Sequence, residues 1–255
     1  ITIRDMLIHK SGMASGKLVA PAFTTNEEYY AAVMNDDMKY KRGDTMVYSD
    51  LNFIMLGLLV EKISGTRLNR FFDSVFVKPF GLQSIGFAPH DSMLSRIAPV
   101  GYDTEWIWKK PSALVHDPRA RFLDGIAGHA GLFSNARDIA SLLKHTLLIP
   151  SKSIFKQKTI QLFTTRFDTS SSRAFGWDTK SGIGFSSAGT RFSQGSYGHT
   201  GFTGTSVWHD TTRNLTAILL TNRVYPMSSN TKIIRFRAQF HDRVAEVFDA
   251  FVEKK

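Results

Sequence analysis

Apolar positions recur at helical spacing through the first two-thirds of the chain and then give way to short, alternating runs. Residues 2–10 read as a short helix: Thr2 stands as its cap, Ile3, Met6 and Leu7 share a face, and Gly12 ends it. A second helix is predicted over about 26–34. Ser49 is placed to cap a strongly apolar helix over 50–63, terminated by Gly65. Its apolar residues lie nearly all round, which predicts a buried helix. Another helix is expected over about 66–75, stopped before Pro79 and Gly81. The stretch 83–131 is rich in Pro, Gly, His and Asp and reads as an irregular rim. Ser134 or Asn135 then caps a helix to about Leu147, and a further helix spans roughly 154–163.

Beyond residue 173 the pattern changes to Gly- and Ser-rich strand candidates. These lead to strands at 205–208 and 215–221, joined by the polar turn HDTTRN. In the final segment, 232–252, Ile233, Phe236, Phe240, Val244, Val247, Phe248 and Phe251 fall at helical spacing. An antiparallel sheet with a terminal helix, after a mostly helical first half, argues for an α+β domain of two lobes, about 1–165 and 166–255.

Composition narrows this picture without changing it. A chain of 255 residues with 42% apolar content buries a large core. The longest strongly apolar run, 54–60, is too short to cross a bilayer. The first residue is Ile rather than Met, so the natural N-terminus is expected upstream. With no cysteine, disulfides, thiolate catalysis and Cys-ligated zinc are excluded. The net charge of +10 comes from basic residues spread along the chain, with Lys232, Arg235 and Arg237 the densest cluster. That spread, without an aromatic–basic pattern, argues against a nucleic-acid partner. The apolar residues interrupting the cluster read as a helix's buried side.

Two stretches carry candidate chemistry. Tyr48-Ser49-Asp50 opens the apolar helix: a phenol there is placed to act as a general base, and Asp50 to accept hydrogen bonds from substrate or orient a neighbour. A packing tyrosine beside a helix-dipole aspartate explains the same letters. In GHTGFTGTSVW, Gly198, Gly201 and Gly204 flank His199, Thr200, Phe202 and Thr203. Such glycines let backbone approach a ligand and turn N–H groups toward it, although a strand edge with a satisfied histidine fits equally. The run 184–188 approximates a nucleophile elbow but lacks the alternating strand–helix context. Four His-Asp pairs (His90-Asp91, His116-Asp117, His209-Asp210, His241-Asp242) exceed the roughly 0.5 expected by chance. Neighbouring residues point apart and no His-x-x-x-His accompanies them, so turns and caps are the default and neither metal nor cofactor is expected.

With these stretches in view, the chain resembles the β-lactamase-related serine hydrolases, the group of class C β-lactamases, penicillin-binding DD-peptidases and related esterases. The resemblance rests on ITIRDMLIHKSGM, YSDLNFIMLGLLVEKISG, GIAGHAGLFSNARDIASLL, YGHTGFTGTSVWHD and TNRVYP, in the family's order. It implies a β-lactamase/transpeptidase-like fold and a cell-envelope or periplasmic setting. It implies Tyr48 as general base or proton relay, and Asp50 where most members have Asn. His199 stands where many have Lys, which weakens carboxylate recognition, and Thr200 and Gly201 complete that motif. It further implies the Phe202 N–H as an oxyanion donor and His129, in GHAGLFS, as a cleft residue.

The family's Ser-x-x-Lys puts nucleophile and amine one helical turn apart. Three literal matches occur (Ser141/Lys144, Ser153/Lys156, Ser229/Lys232), where about 1.5 are expected by chance from 24 Ser and 16 Lys. All follow Tyr48, whereas the family's nucleophile precedes it, so the expected nucleophile belongs to an upstream segment or partner chain. Two functions are then open: a hydrolase of amide or ester bonds working through an acyl-enzyme on a small or peptide-like, cell-wall-derived substrate, or an inactive binding or regulatory domain. A fragment lacking its inter-lobe helix is also expected to be only marginally stable.

Overall fold

The computed structural model describes residues 1–15, 23–100 and 115–254, so the part of the expected rim at 101–114 lies outside the described residues. The chain forms two compact units, Ile1–Leu143 and Lys144–Lys255.

In the first unit, Thr2 and Asp5 form a reciprocal capping box at the start of α1 (Ile3–Leu7). The helix stops three residues earlier than its apolar pattern predicts, because His9 adopts a left-handed φ of 57°. Thr25 and Glu28 cap α2 (Asn26–Met34) in the same way, matching the expected span. Helix α3 (Asp50–Ser64) ends at Gly65 in the left-handed conformation, as expected. Two expectations for α3 need correction. Ser49 makes no side-chain cap; its hydroxyl donates to the Ala14 carbonyl at 2.5 Å instead. Nor is α3 buried throughout: Leu51, Asn52, Ile54 and Gly57 are buried, whereas Ile63 is 76% exposed.

The next helix starts two residues later than expected: α4 (Leu68–Phe72) runs on into a π-helical turn, Asp73–Val77. The described part of the rim is less irregular than expected. It holds β1 (Gly86–Phe87), a 3-10 turn at Asp91–Arg96, α5 (Pro118–Phe122) and β2 (Leu132–Phe133), which pairs antiparallel with β1. Asn135, not Ser134, caps α6 (Ala136–Leu143), accepting the Asp138 N–H at 2.8 Å. The core gathers Tyr29, Val33, Leu51, Ile54, Phe122 and Leu123, each worth about 1.5–3 kcal/mol of burial. One contact here has no side chain in it: a β-carbon on Gly57 would lie 2.9 Å from the Gly128 nitrogen, and one on Gly128 would lie 2.1 Å from the Phe53 carbonyl.

In the second unit, the helical pattern of α6 passes into a π-helical segment, Lys144–Leu148, and α7 is Gln157–Thr164, later than the predicted 154–163. Strands β3 (Asp178–Thr179), β4 (Tyr197–Thr200), β5 (Ser206–Asp210) and β6 (Leu215–Leu219) form an antiparallel sheet in sequence order. The expected strands at 205–208 and 215–221 correspond to β5 and β6. Register pairs His199 with Val207 and Thr200 with Ser206.

Helix α8 (Ile233–Val252) packs on β6 by part of the face its apolar spacing predicts, Ile233, Phe240 and Val244, joined by polar residues it does not. The buried seam is Ile233, Arg237, His241 and Ala245, while Phe236, Val247 and Phe251 are 46%, 56% and 58% exposed. In the basic cluster Ile233 is buried as expected, but Arg237 is buried too and Ile234 and Phe236 are exposed. The reason is hydrogen bonding. Arg237 donates to the Gly201 carbonyl, and His241 contacts the Ser187 carbonyl at 2.7 Å and Ser206 Oγ at 3.4 Å. A polar seam thus satisfies loop groups that an apolar one would strand.

Candidate active site

In the first unit Tyr48 precedes the first turn of α3, 44% exposed, with its ring 4.2 Å from that of His9 and inclined 32°. Asp50, in that first turn, receives Arg119 Nη1 at 3.0 Å. Its carboxylate is thus engaged by a cation from α5. Asp117 caps α5 by accepting the Ala120 N–H at 2.8 Å and bonds His129 Nε2, also at 2.8 Å. Burial pushes the Asp117 carboxyl up, but the His129 bond and charge, the Ala120 N–H and Arg119 outweigh it, and it titrates below the usual range.

The His129 side chain is 3% exposed, and its Nδ1 has no partner among the described residues. Donor atoms of Asp50, Asp117 and His129 lie within 4.8 Å of one another, so these are the residues a cation would use in this unit. Arg119 and the Asp117–His129 bond already answer that charge internally. Of the residues singled out in the sequence, this arrangement brings Asp50 and His129 together.

In the second unit His199 lies on β4, partly buried, with Nδ1 2.9 Å from the Thr200 carbonyl and Nε2 3.3 Å from Arg173 Nη1. Those contacts fit the neutral Nδ1–H tautomer, which donates to Thr200 and accepts from Arg173. Burial first, then the Arg173 charge, lowers the His199 pKa from its ordinary value. The turn after β4 is closed by Gly201 N–H to the Thr205 carbonyl at 2.8 Å. Arg223 donates to the Phe202 carbonyl at 2.7 Å and lies 4.0 Å from the centre of the Phe202 ring, which is 65% exposed. Arg237 holds the neighbouring Gly201 carbonyl. Among the described residues, neither arginine pairs with a carboxylate. The glycines serve internal packing as much as ligand approach: a β-carbon on Gly198 would lie 2.2 Å from the Val207 carbonyl and 2.5 Å from the Trp208 ring.

Of the Ser-x-x-Lys matches, Ser153 has a local role. Ser153 donates to the Thr146 carbonyl at 2.6 Å and accepts the Phe155 N–H at 2.9 Å, ahead of α7. Ser229 is exposed in the turn before α8, and Ser141 lies within α6. Three of the four His-Asp pairs prove to be anchors, with aspartates binding backbone N–H groups: Asp117 at Ala120, Asp210 at Ser193, Thr212 and Arg213, and Asp242 at Thr190 and Arg191. In the fourth, it is His90 that caps, accepting the Ser92 N–H.

The sequence profile of the beta-lactamase family matches residues 1–242. The chain belongs to the beta-lactamase family. It is 33% identical over 252 residues to the N-acetylmuramyl-L-alanine amidase of Bacillus subtilis (strain 168), covering 88% of this chain and 56% of that protein. It is 28% identical over 251 residues to a putative D-alanyl-D-alanine carboxypeptidase of Escherichia coli (strain K12), covering 88% of this chain and 57% of that one. The chain therefore spans little more than half the length of these curated relatives. Among solved structures it is similar to a beta-lactamase from Mycobacterium bovis (TM-score 0.66, 17% identity, 97% of this chain and 74% of that one). A penicillin-binding protein from Bacillus halodurans matches with TM-score 0.65 and 16% identity over 94% of this chain and 72% of that one. These likenesses establish the β-lactamase/transpeptidase-like α+β fold expected from the sequence. No helix among the described residues is long and apolar enough to cross a membrane.

His9, Arg119, Asp117, Arg173 and Arg237 were not singled out for chemistry in the sequence. Only Asp117 carried a signal, as part of a His-Asp pair. The others act across tens of residues, where spacing is silent.

Proposed function

We propose that this chain is the Tyr- and His-Thr-Gly-bearing part of a β-lactamase-family serine hydrolase acting on an amide or ester of a cell-wall-derived peptide. A serine outside these 255 residues attacks the carbonyl, passing its proton to Tyr48 and an accompanying lysine. The leaving amine or alcohol takes that proton, and water cleaves the resulting acyl-enzyme. The backbone N–H of Phe202 donates to the oxyanion. The observation carrying the reading is the setting of Tyr48: a half-exposed phenol at the mouth of α3, braced by His9 and followed by an Asp50–Arg119 pair. Relatives named as an amidase and a carboxypeptidase support the bond type. Positive charge beside the His-Thr-Gly strand comes from Arg173, Arg223 and Arg237 rather than from His199, which supports an anionic group on the substrate.

Two of the three Ser-x-x-Lys matches support a nucleophile outside the chain: Ser153 is spent on a turn and Ser229 lies outside any helix. Labelling with a fluorescent penicillin or a fluorophosphonate tests this. The 255-residue chain should take no covalent label, whereas the longer gene product should be labelled and should lose turnover in Tyr48→Phe. Labelling of the short chain abolished by Ser141→Ala would make Ser141 the nucleophile. No label on either protein would favour an inactive binding or regulatory domain.

A further inference from the structure

We infer that His9 is a positioning residue for Tyr48, holding the phenol through three separate contacts; the inference rests on the reading of Tyr48 as proton carrier. The His9 carbonyl accepts the Val47 N–H at 2.9 Å, and its ring Nδ1 accepts the Ser49 N–H at 3.1 Å. The residues on either side of Tyr48 are therefore fixed by one histidine. The same ring lies against the Tyr48 ring, 4.2 Å away and tilted by 32°, and is 5.2 Å from Phe53. Asn52, fully buried on α3, brings its amide nitrogen to 3.3 Å from His9 Nδ1 and fixes the imidazole from the helix side.

Three observations set His9 apart from an ordinary core histidine. It is 3% exposed, and its ring Nδ1 meets a backbone N–H and a side-chain amide, both from the start of α3. Its backbone is left-handed, with φ 57°, a conformation unfavourable outside glycine and kept where the surroundings require it. And the two donors converging on Nδ1 demand a lone pair there, which puts the ring proton on Nε2 and keeps the imidazole neutral. The 39–47 segment is laid against this turn by further bonds, Lys39 N–H to Gly12 and Gly43 N–H to Lys10. A phenol that carries protons must be held at fixed distance and angle, and His9 supplies both.

The test is NMR on the 255-residue chain, with turnover on the longer gene product. In the wild type, 15N spectra of His9 should show an unprotonated Nδ1 at neutral pH, and the Tyr48 ring protons should carry a ring-current shift from His9. His9→Asn suits the left-handed backbone and removes the ring. It should erase that shift, alter the Tyr48 phenol titration read by 13Cζ, and lower kcat on the order of 10²-fold with KM little changed. A folded His9→Asn protein with an unaltered Tyr48 shift, titration and turnover would overturn the inference. So would a protonated Nδ1 in the wild type, a measurement that needs no variant to fold. Absence of turnover in the wild type, with the NMR signatures present, leaves the positioning role standing and removes only the catalytic reading of Tyr48.

Discussion

The two units hold their motif residues by opposite means. In the first, Tyr48 and Asp50 are fixed by side chains, and each charge meets an opposite one or a shaped acceptor: Arg119 on Asp50, His129 on Asp117, His9 across Tyr48. In the second, the His-Thr-Gly strand is fixed by the sheet ladder, by a glycine flattened against Trp208, and by arginines gripping carbonyl oxygens. Deleting a charge should therefore damage the Tyr48–Asp50 turn, and adding a carbon atom the His-Thr-Gly strand. The difference teaches that a site residue's vulnerability follows how it is anchored, not how close it is to chemistry.

The largest expected effect is steric. Gly198→Val forces a side chain into the Val207 carbonyl and the Trp208 ring and should cost about 3 kcal/mol, or prevent folding of the sheet, in urea unfolding followed by tryptophan fluorescence. A near-neutral result would break the comparison at once.

Next, Arg119→Met leaves the part-buried Asp50 without its cation and should cost about 1–3 kcal/mol, allowing for the carboxylate's 29% exposure. The double variant Asp50→Asn/Arg119→Met should recover part of that loss; strict additivity would mean the pair is decorative.

Acid should then separate the units. His199, His209 and His241, all in the second unit, have pKa values lowered chiefly by burial. Unfolded, they titrate near 6.5, so below that pH the unfolded state binds more protons. Their contribution is intact above about pH 6.5 and is lost as pH falls through the folded values. In the first unit, burial raises and local hydrogen bonds and charges more strongly lower Asp5 and Asp117, whose contribution is lost only below roughly pH 4. Hydrogen exchange at pH 7.5 and pH 5, corrected for intrinsic rates, should show β4, β5 and α8 loosening before the helix starts capped around Asp5 and Asp117; equal loosening would remove the distinction.

The smallest effect is the most discriminating. Arg237→Met removes a buried cation that has no carboxylate partner but strands the Gly201 carbonyl; the two offset, so stability should move by less than about 1 kcal/mol while the turn at Gly201 relaxes. Loss of several kcal/mol would mean that the grip on the carbonyl, not the sheet, holds the strand.

Legibility in the sequence followed locality. The Thr2 cap, the α2 span and the Gly65 stop are written within a few letters and match the structure. The seam of α8 was not, because its buried positions carry Arg237 and His241, whose partners are loop groups 36 to 54 residues away. Tyr48 and Asp50 were legible as motif letters. Their braces were not: His9 lies 40 positions from Ser49, and Arg119 lies 69 from Asp50. A spacing rule has nothing to say about such distances. The His-Asp excess, unexplained by composition, became intelligible only as loops tied by aspartate to backbone.

The contact between Gly57 and Gly128 sets the loop carrying His129 directly on the main chain of α3, atom against atom. Such a joint works as a machinist's gauge block: its thickness is the backbone itself, and no rotamer can take up slack. Randomising both positions together should return glycine at each, since a single methyl on either side would lift the loop bodily. A lineage may rewrite the residues around this seat, but it inherits the spacing whole.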